Sequence, residues 1–289
     1  MVLVVGGDPT VDWKTLFSTR SLIDGTPIEA VHATWDSIVL NGYSEGGCVI
    51  TLPGRQAFQP DLVLIRGALR GAFPSDHRNI LIGLAFCGVR CVNSARSLWL
   101  CQDKPLVYAA LRDVQQRLGK DRFPLIPQSY WPNWRSITFA DGFPLVAKVG
   151  TVHAGLGKMK ISGQQELNDF RSVIAMQGNY ATGEPFIDWD YDFRLQKIGP
   201  HCRGFKRTSD VWKGASMASR DADEPLTELQ KLWLDEVSAA LGMDVNNHKH
   251  LFIHSYIYTH VSFHFIYTYL SKLFLYVFFH FFPNMNVSF

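Results

Sequence analysis

The sequence predicts an α/β layer followed by an α+β domain, and three observations lead to this fold class. Apolar strand-like runs alternate with helical segments over about the first 100 residues, which is typical of an α/β layer. Beyond that point several strands follow one another between a few helices, which favours α+β. The composition then changes, because residues 246–289 contain no Asp, Glu, Gly, Ala or Arg. We therefore expect three regions, at residues 1–100, 101–245 and 246–289.

The first region is predicted to contain buried parallel strands. The apolar run Val2–Val5 ends at Gly6 and Gly7, as a strand does when it opens onto a turn. The continuous run at 62–66 suits a strand whose sheet is covered on both faces. Further strands are predicted at 27–32, 49–52 and 89–92, with a helical stretch beginning at 10–13 and a helix at 76–86.

The second region begins with a clear helix signal. Pro105 lies in its first turn, apolar residues recur at intervals of three or four, and Gly119 ends it. Later helices are predicted at 166–176 and 227–241. Strands are predicted at 123–126, 143–149, 191–198 and 203–208.

Charge and cysteine content exclude several classes of protein. Lys and Arg total 28 against 26 Asp and Glu, so no basic excess indicates a nucleic-acid partner. The five cysteines are odd in number and irregularly spaced, which supports neither a disulfide framework nor a zinc site. The short apolar run at the amino end has no basic flank, unlike a signal peptide. We expect a cytoplasmic body with reduced thiols.

The segment 143–158 carries the strongest chemical signal. Lys148 lies within an otherwise apolar strand, and a buried ammonium needs an anion or a cleft. Gly155 and Gly157 follow in a short loop, where backbone N–H groups can approach an anionic ligand, and Lys158 closes it. The spacing is not that of a P-loop. The alternative is a plain hairpin turn from which Lys148 reaches solvent.

A second candidate surface follows at 184–196. The extended apolar connector at 184–188 can offer backbone groups to an adenine edge and Asp188 to a ribose. Asp192, Arg194 and Gln196 then alternate on one face of a strand, as in the polar floor of a cleft. The alternative is an edge strand with one solvated face.

Eight stretches of the first 245 residues form an ordered set. They are PDLVLIR at 60–66, VNS at 92–94, CQDKP at 101–105, FPLI at 123–126, KVGTVHAGLGK at 148–158, YATGEPFID at 180–188, YDFRLQKIG at 191–199 and RTS at 207–209. In this order and spacing they resemble the synapsins. The resemblance implies a pre-ATP-grasp α/β domain at 1–100 and an ATP-grasp domain at 101–245, which is incomplete because the similarity stops near Val245.

The resemblance also implies an ATP site. Two lysines match those that meet the ATP phosphates, Lys104 and Lys148. The flap over the nucleotide is matched by His153, Gly155, Gly157 and Lys158, with Ala154 and Leu156 as departures. The adenine-binding connector is matched by Glu184, Phe186 and Ile187, followed by Asp188. Further basic residues near the phosphates are matched by Arg207 and Lys213, although the segment after Trp212 departs from the family pattern.

The family pairs ATP with a divalent cation, Ca²⁺ or Mg²⁺, whose acidic and amide ligands come from strands that follow the position of residue 245. Residues 246–289 contain no carboxylate side chain, and we expect neither those strands nor a metal site. No catalytic residues are predicted.

The tail at 246–289 has three interpretations. The first is a membrane span at 261–282, interrupted by His264, Lys272 and His280. The second is an aromatic core segment. The third, which we favour, is a mis-spliced or read-through terminus unrelated to the family, rich in residue types of A/T-rich codons.

Three functions remain open at this point. The resemblance implies an ATP-binding, non-enzymatic, homo-oligomeric protein of the presynaptic cytoplasm. Such a protein associates with the synaptic vesicle membrane and the cytoskeleton, and regulates exocytosis and neurotransmitter release. The alternatives are an ATP-grasp carboxylate-amine ligase and a truncated scaffold that binds no nucleotide.

Overall fold

The structure is a computed structural model. It describes residues 1–18, 21–22, 25–45, 47–70, 76–139, 142–151, 156–188, 191–208, 212, 220–243, 245–251 and 258–261. At 220–221, 245–251 and 258–261 it describes the backbone alone. Three of the predicted site residues, His153, Gly155 and Lys213, lie outside the described residues.

The first layer is a parallel sheet with helices on both faces. Its elements are β1 (Val2–Val5), α1 (Trp13–Ser18), β2 (Ala30–Ala33), β3 (Val39–Tyr43), β4 (Gly47–Thr51), β5 (Leu62–Ile65), α2 (Arg78–Phe86), β6 (Cys91–Val92) and α3 (Ala95–Leu100). The sheet order is β2-β1-β5-β6, and every pairing in it is parallel. Strands β3 and β4 form a separate antiparallel hairpin.

The central strands β1 and β5 are buried at every residue. Because successive side chains point to opposite faces, Val4 packs with Trp13 of α1, whereas Leu3 packs with Leu84 of α2. The predicted α/β layer, with its sheet covered on both sides, is confirmed.

The second layer is an antiparallel sheet with one apolar face. Its elements are α4 (Lys104–Leu118), β7 (Ser129–Trp131), β8 (Leu145–Val149), β9 (Lys158–Ile161), α5 (Gln164–Gln177) and β10 (Ala181–Pro185), with α4 leading into it. The sheet order is β7-β10-β8-β9. Leu145 and Ala147 of β8 pack against Leu167 and Phe170 of α5. The opposite face is therefore left for polar side chains.

The third layer is a larger antiparallel sheet. Its elements are β11 (Asp192–Ile198), β12 (His201–Thr208), β13 (Arg220–Glu224), α6 (Glu228–Leu241), β14 (Val245–Leu251) and β15 (Tyr258–Val261), in the sheet order β13-β12-β11-β14-β15. Leu195 of β11 joins a core with Leu111 of α4 and Trp233 of α6. Ile198, at the end of β11, packs against the core of the first layer. The third sheet thereby fixes the first layer beside the second region.

Two sequence expectations differ from the structure. Residues 123–126 are not a strand, although Phe123, Leu125 and Ile126 are buried, because Leu125 alone forms an isolated bridge while Phe123 and Leu125 pack in the core shared by α4 and α6. The expectation that no further strand follows residue 245 is wrong, since β14 pairs with β11 and β15 pairs with β14. Composition shows that a carboxylate is missing, but strand pairing depends on backbone groups that every non-proline residue has.

No helix among the described residues combines the length and the apolar character of a membrane span. The span predicted at 261–282 lies outside the described residues except for Val261.

Candidate functional site

The polar face of the second sheet brings the candidate lysines together. The β8–β9 register places Lys148 directly opposite Lys158, and the β8–β10 register places it opposite Thr182. Glu184 lies two residues beyond Thr182 and therefore on the same face. The strand alternation that packs Ala147 against α5 thus turns Lys148 towards Lys158 and Glu184.

Lys148 and Glu184 form a buried ion pair. Lys148 Nζ donates to Glu184 Oε2 at 2.6 Å, and the two side chains are 8% and 4% exposed. Gln128 Nε2 donates to the same oxygen at 3.3 Å. Burial lowers the pKa of Lys148, and the carboxylate of Glu184 opposes that shift. The strand lysine is therefore inside the fold with a counter-charge, and does not reach solvent from a plain hairpin.

Lys104 is a second lysine with little access to water, and it lies near Lys148 and Glu184. It is the first residue of α4, where the helix dipole disfavours a cation and favours an anion. The pKa of Lys104 is lowered to about 7, mainly by burial and also by the positive charges of Lys148 and Lys158, while Glu184 opposes the shift. The charges of Lys104 and Lys148 therefore act on each other in a poorly hydrated part of the fold, which favours an anionic ligand.

Aromatic rings lie along the connector at 184–188, next to these lysines. The backbone N–H of Phe186 donates to the Pro144 carbonyl oxygen at 2.9 Å, which ties the connector to β8. Lys160 Nζ lies 3.6 Å from the Phe186 ring centroid, and Lys158 Nζ lies 5.3 Å from that of Trp212. The Phe186 and Trp212 rings meet edge to face with centroids 6.1 Å apart.

Trp212 is a residue that sequence reasoning missed. In the sequence, Trp212 marks only the point after which the family pattern departs, and its aromatic side chain beside Lys213 is the signal that indicates a site residue. The structure brings it into contact with Phe186 and Lys158, which the sequence did place at the site.

Arg207 is engaged in a second buried ion pair. It lies directly opposite Asp192 across β11 and β12. Its Nε donates to Oδ1 at 2.6 Å and its Nη2 to Oδ2 at 2.7 Å, and both side chains are almost fully buried. Such a bidentate pair balances the guanidinium charge locally.

The remaining described site residues lie at the ends of this face. Gly157 has φ +61°, the left-handed conformation that favours glycine, at the turn into β9. Ile187 is half-buried and Asp188 is exposed at the end of the connector. Their positions keep Asp188 accessible to a ligand that enters along the connector.

Three carboxylates of the described part of this region are already engaged by hydrogen-bond donors. Glu184 already accepts from Lys148 and Gln128, and Asp192 is held by Arg207. Asp103, next to Lys104, accepts a hydrogen bond from the Tyr180 hydroxyl at 2.6 Å. Ca²⁺ and Mg²⁺ need several oxygen ligands, and each of these carboxylates already has a donor. The described residues contain no group of three or more His, Cys, Asp or Glu arranged to hold a metal.

Comparison with known protein families gives two adjoining matches. A family model described as the synapsin pre-ATP-grasp domain matches residues 1–91, and one described as the synapsin ATP binding domain matches residues 93–260. The second match extends past residue 245 and includes β14 and part of β15.

A curated relative and two solved structures agree with these matches. Synapsin from Drosophila melanogaster is 34% identical over 253 residues, which is 83% of this chain and 25% of the relative, so the chain spans about a quarter of that protein. The ATP-grasp ligase PsnB complexed with a minimal precursor has a TM-score of 0.66 at 13% identity, covering 96% of this chain and 98% of PsnB. PsnB complexed with minimal precursor, Mg and ADP has a TM-score of 0.62 at 12% identity, covering 95% of this chain and 96% of PsnB. The two structures show that the fold is ATP-grasp.

Proposed function

The chain belongs to the synapsin family, as its ordered motifs predict, and on that premise we propose that it binds ATP between the polar face of the second sheet and the start of α4. The hollow around Lys104, Lys148 and Lys158 takes the phosphates. The single observation that carries this placement is that Lys148, paired with Glu184, lies directly opposite Lys158, and the charges of both lysines act on Lys104. Phosphate oxygens are the natural partners of such a cluster.

The connector supports the placement of the base. Phe186 and Trp212 offer aromatic surface within contact distance of each other, and residues 185–188 offer backbone groups along an extended segment. Asp188 is exposed where a ribose hydroxyl would follow the base. We assign the adenine to this connector and the ribose to Asp188, with His153, Gly155 and Gly157 in the covering loop and Arg207 and Lys213 at the phosphate end.

We propose that bound ATP stabilises the fold and self-association, and that the protein is not an enzyme. By family membership we place it in the presynaptic cytoplasm, on the surface of synaptic vesicles and beside the cytoskeleton, where it regulates neurotransmitter release. The family match and the identity to the fly relative support this role.

Thermal unfolding with ATP tests the binding proposal. A ligand that binds the folded chain raises the unfolding temperature as its concentration exceeds Kd. Lys104→Ala removes one ammonium from the hollow without leaving a buried carboxylate alone, and we expect it to weaken ATP binding at least about tenfold. Lys120→Ala is the matched control, because Lys120 is exposed beyond the far end of α4. If millimolar ATP leaves the unfolding temperature unchanged, a nucleotide-free scaffold is the better description.

An ATP-grasp ligase is the second candidate, and the likeness to PsnB favours it. Such an enzyme forms an acyl phosphate from a carboxylate and passes the acyl group to an amine, with ATP converted to ADP and phosphate. Sustained ADP release that depends on both a carboxylate and an amine substrate would support the ligase and contradict the non-enzymatic role. The engaged carboxylates count against it, because metal normally assists phosphoryl transfer.

A further inference from the structure

The described residues of the second layer include four lysines near the polar face of its sheet, which we call the lysine cluster. Lys160 lies opposite Val146 on β8, two residues from Lys148 and hence on the same face, so it joins Lys104, Lys148 and Lys158. Glu184 pairs with Lys148, and its charge also acts on Lys104. A hollow of this kind gains more free energy from a more negative ligand.

Strands β14 and β15 of the third sheet add no carboxylate, whereas β13 carries Asp221, Asp223 and Glu224, of which Asp223 pairs with Arg203. Asp192 of β11 is held by Arg207, and the backbone of β14 places Asn247 opposite Gln196 and Lys249 opposite Arg194. Residues 245–289 contain neither Asp nor Glu, so β14 and β15 bring no carboxylate to the sheet. Hard divalent cations take carboxylate and carbonyl oxygens as ligands, and cationic or imidazole side chains do not replace them.

We propose that this chain binds its nucleotide as the metal-free triphosphate, with the lysine cluster balancing the charge of the phosphates. The proposal rests on the ATP site proposed above and specifies the form of the ligand. Free ATP carries about four negative charges and loses two when it binds Mg²⁺. The lysine cluster therefore attracts the free form more strongly, and Mg²⁺ competes with the protein for the triphosphate.

Isothermal titration calorimetry of the full chain with ATP tests this directly, in three buffers that contain EDTA, excess Mg²⁺ or excess Ca²⁺. We expect binding in EDTA, and an apparent Kd at least about threefold weaker with either cation, since both deplete the free triphosphate. Binding that disappears in EDTA and returns with Mg²⁺ or Ca²⁺ would overturn the inference and leave the ATP site standing. An absence of binding in all three buffers would overturn both.

Inorganic tripolyphosphate identifies the part of the ligand that matters. We expect it to compete with ATP in EDTA, because the lysine cluster recognises the phosphate chain and not the base. Lys158→Ala should weaken ATP and tripolyphosphate binding in EDTA by about five- to tenfold, whereas Lys120→Ala should leave both unchanged. Equal affinity of Lys158→Ala and the unsubstituted chain in EDTA would contradict the role of the cluster.

Discussion

Lys148 and Glu184 depend on each other for their place in the fold. Both side chains are almost fully buried, with 8% and 4% of their surface exposed to solvent. Removing one partner from such a pair leaves an uncompensated buried charge, which costs about 3–5 kcal/mol, whereas replacing both with apolar groups is often neutral.

Glu184→Gln is therefore expected to lower the free energy of unfolding by about 3 kcal/mol. Lys148→Met combined with Glu184→Gln should recover part of that loss, because the isolated ammonium is gone. Urea unfolding at neutral pH measures both values. A double variant that is less stable than Glu184→Gln alone would contradict this account of the pair.

The lowered pKa of Lys104 leads us to expect a specific dependence of stability on pH. Its pKa is about 7 in the folded chain against an ordinary value of 10.5. Between these values the unfolded chain binds more protons than the folded chain, so the free energy of unfolding rises with pH. The loss of stability caused by the charged Lys104 is therefore largest below pH 7.

The test compares urea unfolding at pH 7.5 and pH 9 for the unsubstituted chain and for Lys104→Ala. We expect the gain in stability between the two pH values to be about 1 kcal/mol larger for the unsubstituted chain, allowing for solvent screening of a partly exposed group. The variant serves as the control for the thiols and other lysines that titrate in this range. Identical pH profiles would show that Lys104 is not withdrawn from water.

At the scale of elements, α6 shows how sequence fixes a boundary. Thr227 caps the helix, its side-chain oxygen accepts from the Gln230 N–H at 3.2 Å, and Gln230 Oε1 accepts from the Thr227 N–H at 2.9 Å. This reciprocal capping box satisfies two backbone donors at the helix start. The helix predicted at 227–241 is found at Glu228–Leu241.

Thr227→Ala is expected to lower the free energy of unfolding by about 1 kcal/mol, because it removes one side of the capping box. Ser172→Ala in the middle of α5 is the matched control and should change stability by less than about 0.5 kcal/mol. Chemical denaturation of the two variants gives the comparison. A neutral Thr227→Ala would mean that the cap does not hold the start of α6.

Strand β10 shows where sequence reasoning fails. Its residues, Ala181–Pro185, include glycine and proline and lack the alternation of a strand. The reason for a glycine in this strand appears only in the fold, because a Cβ at residue 183 would lie 2.3 Å from the Trp131 ring. A residue that makes room for a distant side chain carries no local signal. By contrast, Lys148 could be predicted, since an ammonium within an apolar run is unusual in its own right.

At the scale of the whole molecule, the pairing of β14 with β11 places residues 245–251 in the third sheet. Leu195 of β11 is fully buried, and β14 covers the edge of β11 from Phe193 to Ile198. The order of the motifs is enough to predict the family and, through it, the ATP-grasp fold. The last strands could not be predicted, because their composition lacks the usual strand and turn pattern.

A chain that ends at Met243 tests the role of these strands. Without β14, the edge of β11 is unpaired, and we expect a lower unfolding temperature and concentration-dependent aggregation. Differential scanning fluorimetry and light scattering measure the two effects. If the shortened chain is as stable and as soluble as the full chain, β14 and β15 do not contribute to the stability of the sheet.

The central claim is that a polyphosphate lies between Lys104 and Lys148, and the titration of Lys104 tests it most directly. In a chain with ¹³C-labelled lysine, the Cε chemical shift of Lys104, assigned with Lys104→Ala, reports its pKa with and without ATP in EDTA. The account predicts a pKa of about 7 in the free chain. Saturating ATP should raise it by more than about two units, since an opposite charge favours the ammonium form. A Lys104 pKa that stays the same when ATP is bound would contradict the claim.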